Sequence, residues 1–583
     1  MEYKSQNMVC QNCKSNFTIE SDDFNFYEKI KVPPPTFCPE CRLQRRLAWR
    51  NERTLYRRTC NLCNKNIIAM YHKSAPFPVY CHDCWFGDGW DPLSFGRRYD
   101  MSRSFFDQYK ELSNIVPKLA LWQRNSLNSN YSNFVGESKN IYLSVSVVKD
   151  SENVFYSKSV DKSKDIIDCL NIKNNSESLY ENIEGQSNYN SQYLLLCRSC
   201  IDSYYLVDCV DCSNCFLSFN LRNKKFCIQN KQYNKEEYLK ELQKFNLKSM
   251  ASREIILREF EEIKKKSIFR FANINKCVNV TGNNLLNVKN GENCFEIYNA
   301  EDVKYCYRAF DFTDSMDFCN GTNSESIYEY ITGAFYLYNV KFSHSALNSI
   351  RDADYTESCM NCKNIFGCIS LQNTENSILN KIYSKEEYNR LRTEIIKQMS
   401  NVSFEDKNGR VYKYGEFFPI ELSPFAYNET IAQEFFPIIK KEANKQGYLW
   451  RDKEVKNFNI TIFSDNIPDN IDDVNEVILK EVLGCGHKGD CDHQCNIAFR
   501  LTDYELKFYK KHSIPIPNLC PNCRHYERFK IMPALKLWTR SCMCDKQNHF
   551  HGSKKCNVEF KTSYAPERPE KVYCESCYNK EVY

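Results

Sequence analysis

SKNIYLSVSVVKDSENVFYSKSVDKSKDII, residues 138–167, repeats itself within thirty residues. SKNIY at 138 returns as SENVF at 151 and SKDII at 163, then as SESLY (176), IDSYY (201) and CSNCF (212). GENCF (291), DVKYC (302) and DSMDF (314) carry the same beat further. Each unit is a polar turn followed by a β-branched or aromatic step, at intervals of about 12 residues. Many short strands at even spacing, rich in Asn, Ser, Asp, Tyr and Phe, predict a β-solenoid. Twelve residues is short for a full turn of a wide β-helix, so the beat is read as half a coil. The competing reading is an irregular antiparallel meander.

Outward from this stretch, a longer duplication appears at an offset of 150. CSNCFLSFNLRNKKFCIQNKQYNKEEY (Cys212 to Tyr238) recurs as CKNIFGCISLQNTENSILNKIYSKEEY (Cys362 to Tyr388), with Cys209 mapping to Cys359 and Asn230 to Asn380. Both copies end in a capping box, Asn234–Glu237 and Ser384–Glu387, so each predicts a helix start. The first helix is expected to run unbroken through LKELQKFNLKSMASREIILREFEEIKKK.

A third repetition frames the chain. Cys13, Cys38, Cys41 and Cys60 recur at an offset of 482 as Cys495, Cys520, Cys523 and Cys542. Arg42, Arg46 and Arg58 recur with them as Arg524, Arg528 and Arg540. A zinc ribbon holds one ion between two such knuckles, each a tight turn aiming two thiolates at one point. Four sites are therefore expected, and about four Zn²⁺: Cys10/Cys13 with Cys38/Cys41, Cys60/Cys63 with Cys81/Cys84, Cys491/Cys495 with Cys520/Cys523, and Cys542/Cys544 with Cys574/Cys577. In the fourth, an insertion holding His549, His551 and Cys556 offers His551 or Cys556 as substitute ligands. Cys485, His487 and His493 lie near the third as shared or alternative ligands. All four sites look closed, which points to structural metal. A rubredoxin-like iron centre is disfavoured because Arg42 and Arg524 follow CPxC where that family places glycine. The mid-chain Cys197/Cys200 and Cys209/Cys212, one beat apart, read as stacked core thiols or a further metal site.

RLQRRLAWRNERTLYRR, residues 42–58, sets Arg42, Arg45, Arg46, Arg50, Arg53, Arg57 and Arg58 against a single acid, Glu52, with Trp49 and Tyr56 between them. The matching segment carries Arg524, Arg528 and Arg540. Guanidinium forks suit phosphate and aromatics stack on bases, so the strips are candidate RNA- or DNA-binding surfaces. The alternative is that they neutralise thiolate clusters. A formal charge of +5 points to no partner by itself, because four tetrathiolate zinc sites at −2 each would bring it to −3.

Between His82 and His487 there is one histidine, His344, and no P-loop, GxSxG or HExxH motif occurs. No enzyme is expected; the remaining catalytic option is a polysaccharide hydrolase using Asp311, Asp314 or Asp317. Such acids are more often turn formers. The opening MEYKSQNMVC lacks an apolar h-region and no run of 18 apolar residues occurs, so neither signal peptide nor membrane span is expected. Thirty-two cysteines without a secretory signal favour metal binding in a reducing cytoplasm.

KVPPPTFCPECRLQRRLAWRNERTLYRRTC, PFPVYCHDCW, GEFFPIELSPFAYNET and ERPEKVYCESCYNKEVY together resemble a family of uncharacterised zinc-ribbon proteins from small-genome, uncultured bacterial lineages. The likeness covers nearly the whole chain and implies a bacterial cytosolic zinc protein. It carries no activity or catalytic residue with it. The organisation expected is mostly β with small α elements. A tandem zinc ribbon (1–100) precedes a first solenoid lobe (130–229), a helix (230–268), a second lobe (269–379) and a second helix (380–402). An aromatic, Pro-rich connector (403–480) and a second tandem ribbon (485–583) follow. The leading functional expectation is a non-enzymatic zinc protein binding RNA or DNA through the arginine strips. The alternative is a protein-interaction scaffold working through the solenoid surface.

Overall fold

The computed structural model describes residues 3–332, 335–345, 348–454, 457–547, 549–552 and 554–583. The fold class matches the reading above: two cysteine-rich ribbon units flank a two-lobed β-solenoid. The first lobe runs from Gln123–Arg124 to Lys231–Gln232 and the second from Ile274–Asn275 to Lys381–Ile382. Pairing along each lobe is parallel until an antiparallel hairpin closes it, Lys225–Ile228 with Lys231–Gln232 and Glu375–Ile378 with Lys381–Ile382.

The ladder register corrects the coil length. Asn133 pairs with Val145, Val145 with Lys158, Lys158 with Leu170 and Leu170 with Ile183. Twelve or thirteen residues therefore make a complete coil. The beat seen in the sequence is the whole turn, and the half-coil expectation fails.

So short a coil turns four corners by a device that composition hinted at. Every third residue sits in the left-handed region: Asn153 (φ 54°), Tyr156 (53°), Ser159 (62°), Lys162 (47°) and Asp165 (55°) run in sequence. L-residues enter this region at a cost of roughly 1–2 kcal/mol, and Asn and Asp tolerate it best. At these corners Asn and Asp also bond to the next coil: Asn140 Nδ2 donates to Asn153 Oδ1 (2.9 Å) and Asn153 Nδ2 to Asp165 Oδ1 (2.7 Å). One residue per triplet points inward. Val154, Val160, Ile166 and Ile172 alternate with Ser157, Ser163 and Cys169 in an interior that is at most 3% exposed. The interior hydroxyls and thiols close on the backbone: Ser157 Oγ donates to Phe155 O (2.8 Å) and accepts from Cys169 N (2.9 Å). Asn361 is a corner residue on the surface (φ 52°). Asn361→Val should lower stability by about 1–2 kcal/mol relative to Asn361→Gly. Thermal unfolding of the two variants checks it, and equal stability would contradict the corner geometry.

Helices cap the lobes where the capping boxes predicted. Asn234 starts Lys235–Leu242 and Ser384 starts Lys385–Asn401. The single long helix expected after lobe one is two helices. The first ends at Leu242, and Ser249 caps a second, Met250–Lys266. Phe245 explains the break. Its ring packs on Phe216 (4.7 Å between centroids), and the chain folds back so that Ile256, Phe260 and Ile263 lie buried against the lobe. The connector fills space between ribbon and solenoid, with Phe417, Phe418 and Tyr427 fully buried. Its short helix, Ile431–Phe435, starts after Thr430.

Each ribbon straddles both lobes. The second knuckle region of the first ribbon, Val79–Tyr80, pairs with Lys118–Leu119, just ahead of lobe one. Its counterpart Lys571–Tyr573 pairs with Ile268–Arg270, just ahead of lobe two and 150 residues on from Lys118. The first knuckle regions cross over, as described next. The lobes touch directly through Arg308 Nη2 to Asn171 Oδ1 (3.1 Å) and Lys173 Nζ to Tyr298 Oη (2.6 Å).

Candidate metal centres and the arginine clamps

Four cysteine quartets bring their sulfurs within 4.8 Å of one another: Cys10/Cys13/Cys38/Cys41, Cys60/Cys63/Cys81/Cys84, Cys485/Cys495/Cys520/Cys523 and Cys542/Cys556/Cys574/Cys577. All four are built alike. The first pair lies at the turn of a hairpin, Gln6–Val9 with Asn16–Ile19 in the first ribbon and Tyr56–Thr59 with Asn66–Ala69 in the second site. The third cysteine caps a helix: Cys38 on Pro39–Leu47, Cys81 on His82–Phe86, Cys520 on Pro521–Phe529 and Cys574 on Glu575–Val582. Its backbone N–H donates to the sulfur of the first: Cys38 to Cys10 (3.3 Å), Cys81 to Cys60 (3.3 Å), Cys520 to Cys485 (3.2 Å) and Cys574 to Cys542 (3.2 Å). Such bonds favour thiolate over thiol and orient it. Four soft sulfurs converging on a point are the donor set of a tetrahedral metal site.

The first two quartets are those expected. In the other two the structure exchanges one ligand each. Cys485, not Cys491, occupies the position equivalent to Cys10, and Cys556, not Cys544, completes the fourth quartet. Spacing misled because both hairpin turns are enlarged. Nine residues separate Cys485 from Cys495 and thirteen separate Cys542 from Cys556, so the nearer cysteine imitated a short knuckle. Cys491 instead has its sulfur 3.7 Å from that of Cys523, and Cys544 has its sulfur 3.6 Å from Nδ1 of His549.

The arginine strips require the larger correction. Arg42, Arg45, Arg46, Arg50, Arg524 and Arg528 are at most 5% exposed. Arg42 Nε meets Asp317 Oδ2 at 2.7 Å and Arg46 Nη1 meets Asp317 Oδ1 at 3.1 Å, while Arg45 Nη2 reaches Glu329 at 2.7 Å. At the other end Arg524 Nε meets Asp168 Oδ2 at 2.9 Å, and Arg528 reaches Asp168 at 2.9 Å and Glu181 at 2.7 Å. Asp168 and Glu181 precede Asp317 and Glu329 by 149 and 148 residues, so both halves of the clamp are duplicated. Tyr156 and Tyr305, also 149 apart, lie 5.0 and 5.4 Å from the Arg524 and Arg42 guanidinium carbons. Burial alone would pull both guanidinium pKa values down. Asp317 and Asp168 outweigh it and hold Arg42 and Arg524 well above the usual arginine range. The clamp crosses over: the first ribbon grips lobe two and the last grips lobe one. Between them, Arg50, Glu52, Lys158, Glu434 and His525 form one buried chain of contacts at 2.6–2.9 Å.

Three further arginines are part-buried and held to the protein. Arg53 bonds to Asn522 Oδ1 (3.1 Å), Arg58 to His72 O (3.1 Å) and Arg540 to Ala565 O (3.1 Å). Of the ten candidate phosphate-binding arginines only Arg57 is exposed. The strips read as basic because the carboxylates that meet Arg42, Arg45 and Arg46 come from the solenoid and the connector, more than 270 residues away. The carboxylates considered for hydrolysis are engaged too: Asp317 in the clamp, Asp311 accepting from Asn299 (2.9 Å) and Asp314 paired with Lys29.

Cys197, Cys200, Cys209 and Cys212 line the interior of lobe one, with sulfurs against carbonyl oxygens; Cys200 Sγ donates to Cys209 O at 3.5 Å. Burial pushes the thiols of Cys197 and Cys209 well up, while hydrogen bonds from the neighbouring Cys200, Cys209 and Cys215 thiols hold Cys212 down. No described helix is long and apolar enough to cross a membrane. Comparison with protein-family models, curated proteins and solved structures finds no match.

Proposed function

We propose that this chain is a zinc-stabilised, non-enzymatic scaffold whose ribbons lock two solenoid lobes into one body and whose lobe surfaces are the working faces. The observation that carries this reading is the clamp. The cations expected to meet phosphate are spent on the solenoid's own buried carboxylates, and the metal-site helices exist to deliver them. Zinc is the metal proposed, because four thiolates in a closed set suit it and such sites are structural. A reducing bacterial cytoplasm fits cysteines that remain unpaired in the structure. The face offered to a protein partner is on lobe two, where Phe335, Tyr336 and Tyr338 are 42%, 61% and 43% exposed beside Arg351. Exposed aromatic clusters of this kind mark interaction surfaces.

Fluorescence anisotropy with single-stranded and duplex RNA and DNA across a salt series separates this reading from nucleic-acid binding. The expected result is no binding tighter than the non-specific range of about 10⁻⁴–10⁻⁶ M. Tight binding that falls steeply with salt and weakens on Arg57→Ala would overturn it. In parallel, cross-linking from bacterial lysate should capture a protein that the Tyr336→Ser/Tyr338→Ser variant loses.

A further inference from the structure

The third quartet has a neighbour that the other ribbon lacks. His487, Cys491 and His493 gather around Cys523, with all four ligand atoms within 4.8 Å of one another. Cys523 belongs to both groups: its sulfur is 3.8 Å from Cys485 and 3.7 Å from Cys491. The long turn between Cys485 and Cys495 makes this possible. Lys488 and Gln494 adopt left-handed conformations (φ 49° and 51°), folding the turn back toward the helix Pro521–Phe529 that carries Cys523. The His493 ring stacks on Tyr526 of that helix, 5.5 Å between centroids and 5° from parallel. Nδ1 of His487 and Nδ1 of His493 are both buried with no hydrogen bond, the latter 3.6 Å from the half-exposed Glu527 carboxylate. A buried imidazole nitrogen without a hydrogen bond is costly, and two such rings gathered with Cys491 around Cys523 point to an absent cation.

The geometry points to a binuclear zinc centre in which Cys523 bridges two ions, one held by Cys485, Cys495 and Cys520, the other by His487, Cys491 and His493. Two tetrahedra sharing one corner need seven donors, and seven are present. The charge count favours the pair. One ion with four thiolates leaves −2, whereas two ions with five thiolates and two neutral imidazoles leave −1. The first ribbon has only Gln11 and Asn12 between Cys10 and Cys13, so it lacks the long turn that carries His487, Cys491 and His493. The first ribbon is thus an internal control that holds one ion at the corresponding place.

This inference rests on the zinc reading of the quartets, and native mass spectrometry of the full chain tells the two apart. Wild type should carry at least five zinc ions, and His487→Ala/His493→Ala should carry one fewer with an unchanged circular dichroism spectrum. Zinc-edge X-ray absorption of wild type should show a Zn–Zn vector of about 3.5–4 Å that the double variant lacks. Four ions with no Zn–Zn vector would overturn the bridge and leave the quartets standing. Fewer than four would overturn both. If the double variant does not fold, the wild-type vector decides alone, since Cys523 belongs to both donor groups.

Discussion

Asp317→Asn should destabilise the protein by about 3–5 kcal/mol, a large effect for an isosteric change. Asp317 is fully buried, accepts a hydrogen bond from Arg42 and forms an ion pair with Arg46, each at most 2% exposed. Taking the negative charge away leaves two guanidinium groups in a dry interface, with Glu329 already paired to Arg45. Asp168→Asn should cost a similar amount, because Arg524 and Arg528 close on it in the same way. The urea midpoint measures both. Asp314→Asn is the control, three residues along the same lobe. Its partner Lys29 is 53% exposed, and such surface pairs contribute about 0–1 kcal/mol. The triple change Arg42→Met/Arg46→Met/Asp317→Leu should recover most of the loss, since well-packed apolar groups often replace a buried ion cluster at no cost. If Asp317→Asn proved as mild as Asp314→Asn, the clamp would not be what holds ribbon to solenoid.

What could be read from the sequence was whatever repeats at fixed spacing. The 12-residue beat, the offset of 150 and the offset of 482 are all present as coils, lobes and ribbons. The capping box at Asn234 and the serine cap at Ser384 start helices because a local hydrogen-bond pattern needs no tertiary partner. The coil length was misjudged because a 12-residue turn requires a left-handed corner at every third position. Asn-, Asp- and Ser-rich composition signals that only once the triplet is noticed: Val135, Ser138, Ile141, Ser144 and Val147 point inward at steps of three. Where ligands come from unequal loops, spacing failed. Cys485 and Cys556 displaced Cys491 and Cys544, although the whole-chain offset already left Cys491 without a partner in the first ribbon. The fate of the arginines was beyond spacing altogether. A basic strip looks the same whether phosphate or a distant carboxylate neutralises it. One signal was available: Asp168 and Asp317, like Glu181 and Glu329, recur with the lobes at nearly the same offset as the rest of the duplication.

Cys38→Ser should release the first ion and undo more than its own ribbon. A structural zinc site is worth about 10–16 kcal/mol of apparent binding free energy, and Cys38 both belongs to the first quartet and caps the helix Pro39–Leu47. That helix carries Arg42, Arg45 and Arg46, so loss of the ion should withdraw the clamp from Asp317, Glu329 and Glu416. Trypsin is the probe: in wild type these arginines are buried, and the variant should be cut at them quickly while zinc falls by one ion per chain. Cys362→Ser supplies the contrast. Its sulfur lies inside lobe two, donating to Met360 O at 3.2 Å, the bond that Ser157 makes to Phe155 O in lobe one. A hydroxyl replaces that thiol with its hydrogen bond intact, so the change should cost no more than about 1 kcal/mol and leave zinc and trypsin resistance untouched. The two substitutions are the same chemistry at two buried cysteines. Equal outcomes would mean that the quartets are packing thiols like those of the lobes, and unequal ones that the metal holds the ribbons and the ribbons hold the lobes.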